Sequence, residues 1–75
     1  MNAIEVFKQH GNLELSNEQA GHLFIRKRDD RFHITTVTTD NEIWGMSTKS
    51  EAVVVGEIQL FEFRSKQNGK ITITV

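Results

Sequence analysis

The sequence predicts a small, mainly β protein with one short N-terminal helix, in which an antiparallel sheet of five to six strands is strongly bent or barrel-like. β-Branched residues concentrate between Phe24 and Val37 and again between Val53 and Val75, and such residues suit a half-buried strand. Asp and Asn stand between the apolar runs, where tight turns need them. With 75 residues and no repeated or Pro-rich segment, we expect a single domain over 1–75, with a helix at 2–11 and β-hairpins over 12–75.

The helix prediction depends on start and stop residues. Asn2 can cap the N-terminus, with Glu5 three residues later, and Gly11 can end the helix. Ile4 and Phe7 would share the buried side. A helix this short is not stable alone, so we expect it to dock on the sheet.

The segment from 21 to 37 predicts a hairpin with a two-residue turn at Asp29-Asp30. This turn places Ile25 opposite Ile34 and Arg28 opposite Arg31. One face then has the character of a core layer: Leu23, Ile25, Phe32, Ile34 and Thr36. The opposite face carries His22, Phe24, Arg26, Arg28, Arg31, His33, Thr35 and Val37.

A second turn is expected at Asp40-Asn41. It places Val37 opposite Trp44 and Thr35 opposite Met46, which puts both new side chains on the face that carries Phe24. The apolar set of Phe24, Trp44 and Met46 is then either an exposed patch for a partner or a second core layer beneath the N-terminal helix.

The segment Val53–Ser65 is expected to be a long strand that bends at Gly56 or bulges near Leu60, because its apolar positions change phase. A three-residue loop over 67–69 then places Phe61 opposite Val75 and Phe63 opposite Ile73.

The C-terminal strand carries three alternating apolar residues, Ile71, Ile73 and Val75, with no charge or proline to block another chain. An open edge of this kind recruits a second copy or a larger protein by β-augmentation. The alternative is that this strand pairs with the first one, around Leu13 and Leu15, and closes a barrel.

Basic residues cluster at the central turn: Arg26, Lys27, Arg28, Arg31 and His33. With Phe24 and Trp44 as stacking surfaces, they predict, as an alternative function, binding of single-stranded nucleic acid. The simpler interpretation is that Asp29 and Asp30, or Glu18 and Glu62 from elsewhere, neutralise this cluster, together with solvent screening.

Other chemistry is excluded or unsupported. The chain has no cysteine, which excludes disulfides, thiolate metal sites and a cysteine nucleophile. His10, His22 and His33 have no metal-binding spacing, the serines lie in no nucleophile motif, and the glycines form no phosphate loop. We therefore predict no catalytic residue, metal or cofactor. A small enzyme would need His22 or His33 beside a carboxylate.

The leading functional hypothesis is a small non-enzymatic protein-interaction module, such as an inhibitor, an immunity or antitoxin-like protein, or an accessory subunit. Its expected partner-binding residues are Phe24, Trp44, Met46, Ile71, Ile73 and Val75. The net charge of −1 argues against a chain that coats nucleic acid with its whole surface. No apolar run is long enough to span a membrane, and we expect a cytoplasmic protein that can form a homodimer.

Overall fold

A computed structural model describes residues 2–65 and 70–75 of the chain. The described residues form two helices and five strands: α1 (Ala3–His10), β1 (Leu13–Asn17), β2 (Gly21–Arg28), β3 (Arg31–Val37), β4 (Ile43–Thr48), α2 (Glu51–Ser65) and β5 (Thr72–Thr74). The strands pair antiparallel in the order β4-β3-β2-β1-β5. The mainly β class is therefore confirmed. The barrel-like detail is not, because β4 and β5 end the described sheet on opposite sides.

Helix α1 begins and ends as predicted. Asn2 Oδ1 accepts a hydrogen bond of 2.9 Å from the backbone N–H of Glu5. Gly11 adopts a φ of 73° and donates its N–H to the carbonyl of Phe7, which is the left-handed ending that glycine favours. Phe7 is buried and its ring lies 5.3 Å from that of Phe32. The helix thus docks on the sheet through an aromatic contact.

The register of the central hairpin is confirmed. Ile25 pairs with Ile34 and Arg28 with Arg31 across the turn at Asp29 and Asp30. Asp29 has a φ of 60°, a left-handed conformation that Asp tolerates at the first central position of such a turn.

The predicted register between β3 and β4 is wrong by one residue. Val37 pairs with Ile43, and Thr36 with Trp44. Asn41 adopts a φ of 66° and donates its N–H to the carbonyl of Thr38 at 3.0 Å, so the loop contains three residues rather than two. Because side chains alternate along a strand, this one-residue shift moves Trp44 and Met46 to the opposite face of the sheet.

The predicted strand over Val53–Ser65 is also wrong, because Glu51–Ser65 is helix α2. Its buried residues, Val54, Ile58, Phe61 and Ser65, recur at the spacing of one helix face. The apolar positions that do not fit the two-residue repeat of a strand are therefore explained by the 3.6-residue repeat of a helix. Ser50 Oγ accepts a hydrogen bond from the Val53 N–H at 3.3 Å at the N-terminus.

Because Phe61 and Phe63 lie in α2, the predicted strand pairs of Phe61 with Val75 and of Phe63 with Ile73 are also wrong. The predicted loop over 67–69 lies outside the described residues.

Strand β5 pairs with β1, and Ile73 lies opposite Leu15. Of the two alternatives for the C-terminal strand, the pairing with the Leu13–Leu15 strand is present, but it closes no barrel, and β5 is an edge of the described sheet. Asn17 secures the junction: its Nδ2 donates to the carbonyl of Lys70 at 2.7 Å, while its Oδ1 accepts from the backbone N–H groups of Gln19 and Ala20.

Both described helices pack on the same face of the sheet, which we call the covered face. The buried core joins apolar side chains of this face to those of the helices: Ala3, Val6, Phe7, Leu13, Leu15, Ala20, Leu23, Ile25, Phe32, Ile34, Val54, Ile58 and Phe61. Neither described helix combines the length and apolarity that crossing a bilayer requires.

Candidate interaction surfaces

The second face of the sheet, which we call the open face, has no described helix packed on it. Residues directly opposite each other in antiparallel strands share a face, so the registers define its members. They are Glu14, Ser16, His22, Phe24, Arg26, Arg28, Arg31, His33, Thr35, Val37, Ile43, Gly45, Ser47, Thr72 and Thr74. The charged members are three arginines and one glutamate, so this face is basic although the chain as a whole is not.

The arginines of the open face lie beside the central turn. Arg28 is directly opposite Arg31, and Arg26 is opposite His33. Arg26 Nη2 lies 3.8 Å from Glu14 Oε1, a long ion pair with both side chains substantially exposed. Arg31 Nε donates a hydrogen bond of 2.8 Å to Ser47 Oγ. This bond crosses from β3 to β4 and fixes the orientation of the Arg31 guanidinium.

None of the carboxylates expected to neutralise this cluster forms an ion pair with its arginines within the described residues. Asp30 Oδ2 pairs with Lys49 Nζ at 3.3 Å. Within the described residues, neither Arg28 nor Arg31 forms an ion pair. Lys27 does not belong to the cluster, because it lies on the covered face with its Nζ 5.7 Å from the centroid of the Phe32 ring. The basic surface therefore contains fewer residues than the sequence suggested, and fewer of its positive charges are paired with carboxylates.

An aromatic pair continues the open face away from the turn. The rings of His22 and Phe24 are stacked, with centroids 5.9 Å apart and an interplanar angle of 13°. Phe24 is half-buried and His22 is exposed. On β2, Phe24 lies two strand positions from Arg26.

The predicted grouping of Phe24 with Trp44 and Met46 is wrong. Trp44 and Met46 lie on the covered-face side of β4, because they pair with Thr36 and Ile34, whereas Phe24 lies on the open face. The N-terminal helix does not cover them either: Trp44 remains 62% exposed and Met46 43% exposed. Phe24 and Trp44 therefore belong to two separate surfaces, one on each face of the sheet.

A groove separates β4 from α2, and Trp44 belongs to both of its compartments, of about 380 and 230 Å³. We call it the β4 groove. Its lining includes Ile34, Thr36, Trp44, Met46, Glu57 and Arg64, together with Gln19, Ala20, Thr38, Thr39 and Gly45. Val53 and Leu60 lie on the same side of α2 as Glu57 and Arg64 by helical spacing, and both are partly exposed. The smaller compartment is lined mainly by apolar residues, whereas the larger one is lined mostly by polar side chains, with one charge of each sign.

The two edges of the described sheet differ. β4 has six residues, Ile43–Thr48, of which only Thr48 is partly buried, and none is charged. β5 has three residues, and Ile71 and Ile73 pack against the core. Of the predicted C-terminal contact residues, Val75 is the exposed one, at 65%.

Sequence reasoning missed β4 as an edge. The signal was nevertheless present, because the stretch from Ile43 to Thr48 lacks charge and proline just as the C-terminus does.

The described residues contain no group of three or more His, Asp or Glu side chains placed to hold a metal ion. Comparisons with protein families, with curated proteins and with solved structures found no match to this chain.

Proposed function

We propose that this chain is a non-enzymatic protein-interaction module that binds through β4, and that its partner is a second copy of the chain. The observation that carries this proposal is the exposed, uncharged edge of Ile43–Thr48 beside the β4 groove. Two copies would pair β4 with β4 and continue the sheet across a two-fold axis.

The backbone supplies the first argument. Within the described residues β4 pairs with β3 alone, so its outer row of N–H and C=O groups has no strand partner. Natural proteins protect such an edge with lysine, proline, a bulge or a covering element. β4 carries neither lysine nor proline. The edge is therefore suited to strand addition.

The apolar side chains supply the second argument. Trp44 and Met46 are exposed on the covered-face side of β4, whereas Ile43, which is 72% exposed, lies on the open-face side of the same strand. Large apolar side chains exposed beside a free edge are typical of a contact site, and tryptophan buries more area than most residues when a partner covers it. Burial of these three side chains would add hydrophobic stabilisation to the backbone pairing.

Charge complementarity favours a second copy as the occupant. Glu57 and Arg64 lie two turns apart on the groove side of α2. A two-fold axis through β4 reverses the direction of α2 in the other copy, so the Glu57 end of one groove faces the Arg64 end of the other. A strand also pairs antiparallel with itself under such an axis, which is the isologous contact of most dimers. Because β4 is uncharged, no like charges meet at its centre.

The proposal is tested by the mass of the full chain in solution, measured by sedimentation across a concentration series. We expect dimers, and we expect Met46→Lys to weaken the association at least about tenfold because it places a charge in the contact. The matched control is Val75→Lys, which adds the same charge beyond the other edge and should leave the dimer unchanged.

A wild-type chain that stays monomeric at all concentrations would overturn the proposal. Equal weakening by both lysine variants would overturn it too, because the effect would then be one of net charge. The emission of Trp44 provides a second readout: it should shift to shorter wavelength as the dimer forms and buries the indole.

A further inference from the structure

We propose that the open face binds single-stranded nucleic acid, with Arg28 and Arg31 contacting phosphates and Phe24 stacking on a base. This site lies on the other side of the sheet from the β4 groove and does not depend on the proposed function. Three features support it: two opposed arginines without an ion pair among the described residues, a hydrogen-bonded guanidinium, and a half-buried Phe24 ring stacked with the exposed His22.

The arginine pair is the first feature. Directly opposed like charges destabilise a two-stranded contact, yet Arg28 and Arg31 are opposed and form no ion pair within the described residues. Of the two acidic residues at the turn, Asp30 is paired with Lys49. A phosphate bound at this end of the open face would offset the repulsion between the two positive charges.

The second feature is that Arg31 is already oriented. Its Nε donates to Ser47 Oγ at 2.8 Å, and its Nη2 lies 3.5 Å from the Ser47 carbonyl. The bond uses one side of the guanidinium and leaves other N–H donors for a ligand. Because part of the rotational freedom is already lost, less entropy is lost when a phosphate binds.

The third feature is the aromatic stack on the same strand as the arginines. Phe24, Arg26 and Arg28 occupy alternate positions of β2 and therefore form one row, with steps of about 7 Å. The His22 ring is stacked with the ring of Phe24, with centroids 5.9 Å apart. A strand of nucleic acid lying along this row would place its phosphates near the turn and a base over the ring.

These features favour single-stranded nucleic acid over other anionic ligands. An acidic peptide would use the arginines but has no need of an aromatic ring. A duplex keeps the faces of its bases inside the stack, so Phe24 could not reach them. Base stacking on an aromatic residue beside basic side chains is the general mode of single-strand binding. Such binding should leave the fluorescence of Trp44 unchanged, because Trp44 lies on the other side of the sheet.

The test measures fluorescence anisotropy of labelled oligo-dT and oligo-rU, each about 15 nucleotides long, a length within the site sizes of small β domains, with the full chain at low salt. We expect affinity to fall with salt, and Arg28→Gln and Arg31→Gln each to reduce the salt slope by about 0.7 for a single strand. Phe24→Leu should weaken binding by about 5- to 100-fold, the loss associated with one stacking contact. The charge-matched control is Lys8→Gln on α1, which removes one positive charge from the helix side of the molecule.

Several results would overturn the inference. One is the absence of binding at low salt, and another is equal weakening by Lys8→Gln and the arginine variants. Binding that Phe24→Leu leaves unchanged and that polyglutamate displaces as readily as oligo-dT would assign the face to acidic peptides instead. Met46→Lys should retain binding, which separates this inference from the proposed dimer. The circular dichroism of each variant must match that of the wild type, since this shows that a loss of binding is not a loss of fold.

Discussion

The two faces of the sheet differ in what their side chains do, although both belong to the same strands. On β2, Leu23 and Ile25 point into the core and are at most 2% exposed, whereas Phe24 and Arg26 alternate with them on the open face. The covered face accounts for the burial that stabilises the fold. The open face can change with little effect on folding, so its unusual features call for a functional explanation. The difference predicts how mutations on the two faces will rank.

The largest effect should come from Phe61→Ala on the covered face. Phe61 is 1% exposed, and its removal leaves a cavity between α2 and the sheet. We expect the free energy of unfolding to fall by about 3–5 kcal/mol, measured by urea denaturation. A loss below about 1 kcal/mol, well under the usual cost of such a cavity, would mean that α2 is not held firmly on this face in solution.

The next effect should come from Asn17→Ala, at the end of the covered face where β1 meets β5. Alanine removes the amide that bonds to Lys70 and the acceptor of two backbone N–H groups. Because these groups are buried or partly buried, we expect a loss of about 1–3 kcal/mol. Asn12→Ala is the matched control: Asn12 Oδ1 accepts one hydrogen bond from the exposed Lys27 N–H, and its loss should cost less.

A smaller effect is expected for Phe24→Ala on the open face. Phe24 is half-buried, and its contacts are the stack with His22 and its cross-strand neighbours. We expect a loss of about 0.5–1 kcal/mol, the scale of cross-strand pairs. If urea denaturation instead gave the same loss as for Phe61→Ala, the open face would be a buried surface in solution and the contrast between the faces would fail.

The smallest effect should have the opposite sign. Arg28→Gln removes one of two opposed arginines, so the free energy of unfolding should rise by about 0.2–0.5 kcal/mol at low salt. The gain should shrink as salt is added, because screening already weakens the repulsion. Arg26→Gln is the control: Arg26 contacts Glu14, so its replacement should bring no gain.

The sequence was sufficient where local signals agreed. Helix α1 followed from its cap and its stop, and the β2–β3 register followed from alternation across a short turn. It failed at β4 because Asn41 takes a left-handed conformation, and this single dihedral adds one residue to the loop and reverses every side chain of the strand. The alternation of apolar and polar residues along the strands does not distinguish a two-residue loop from a three-residue loop between β3 and β4.

The prediction for the α2 segment failed for a different reason. Val53, Val54, Val55 and Ile58 have strand propensity, and tertiary packing overrode it by burying one helical stripe. The evidence for a helix was the spacing of Val54, Ile58 and Phe61 together with Ser50 as a cap. The arginine pair of the open face could be located from sequence, but its lack of carboxylate partners depends on where Asp30 and Lys49 meet, which only the fold determines.

The bond from Asn17 to Lys70 has a kinetic consequence. It joins positions 53 residues apart, whereas β1 to β4 are joined by short hairpin loops. Hairpins form in microseconds, but docking β5 must first close this long loop, and its entropic cost is recovered only when the last contacts form. The four hairpin strands can therefore assemble first and β5 can dock last, which leaves β1 as a transient edge of the unfinished sheet.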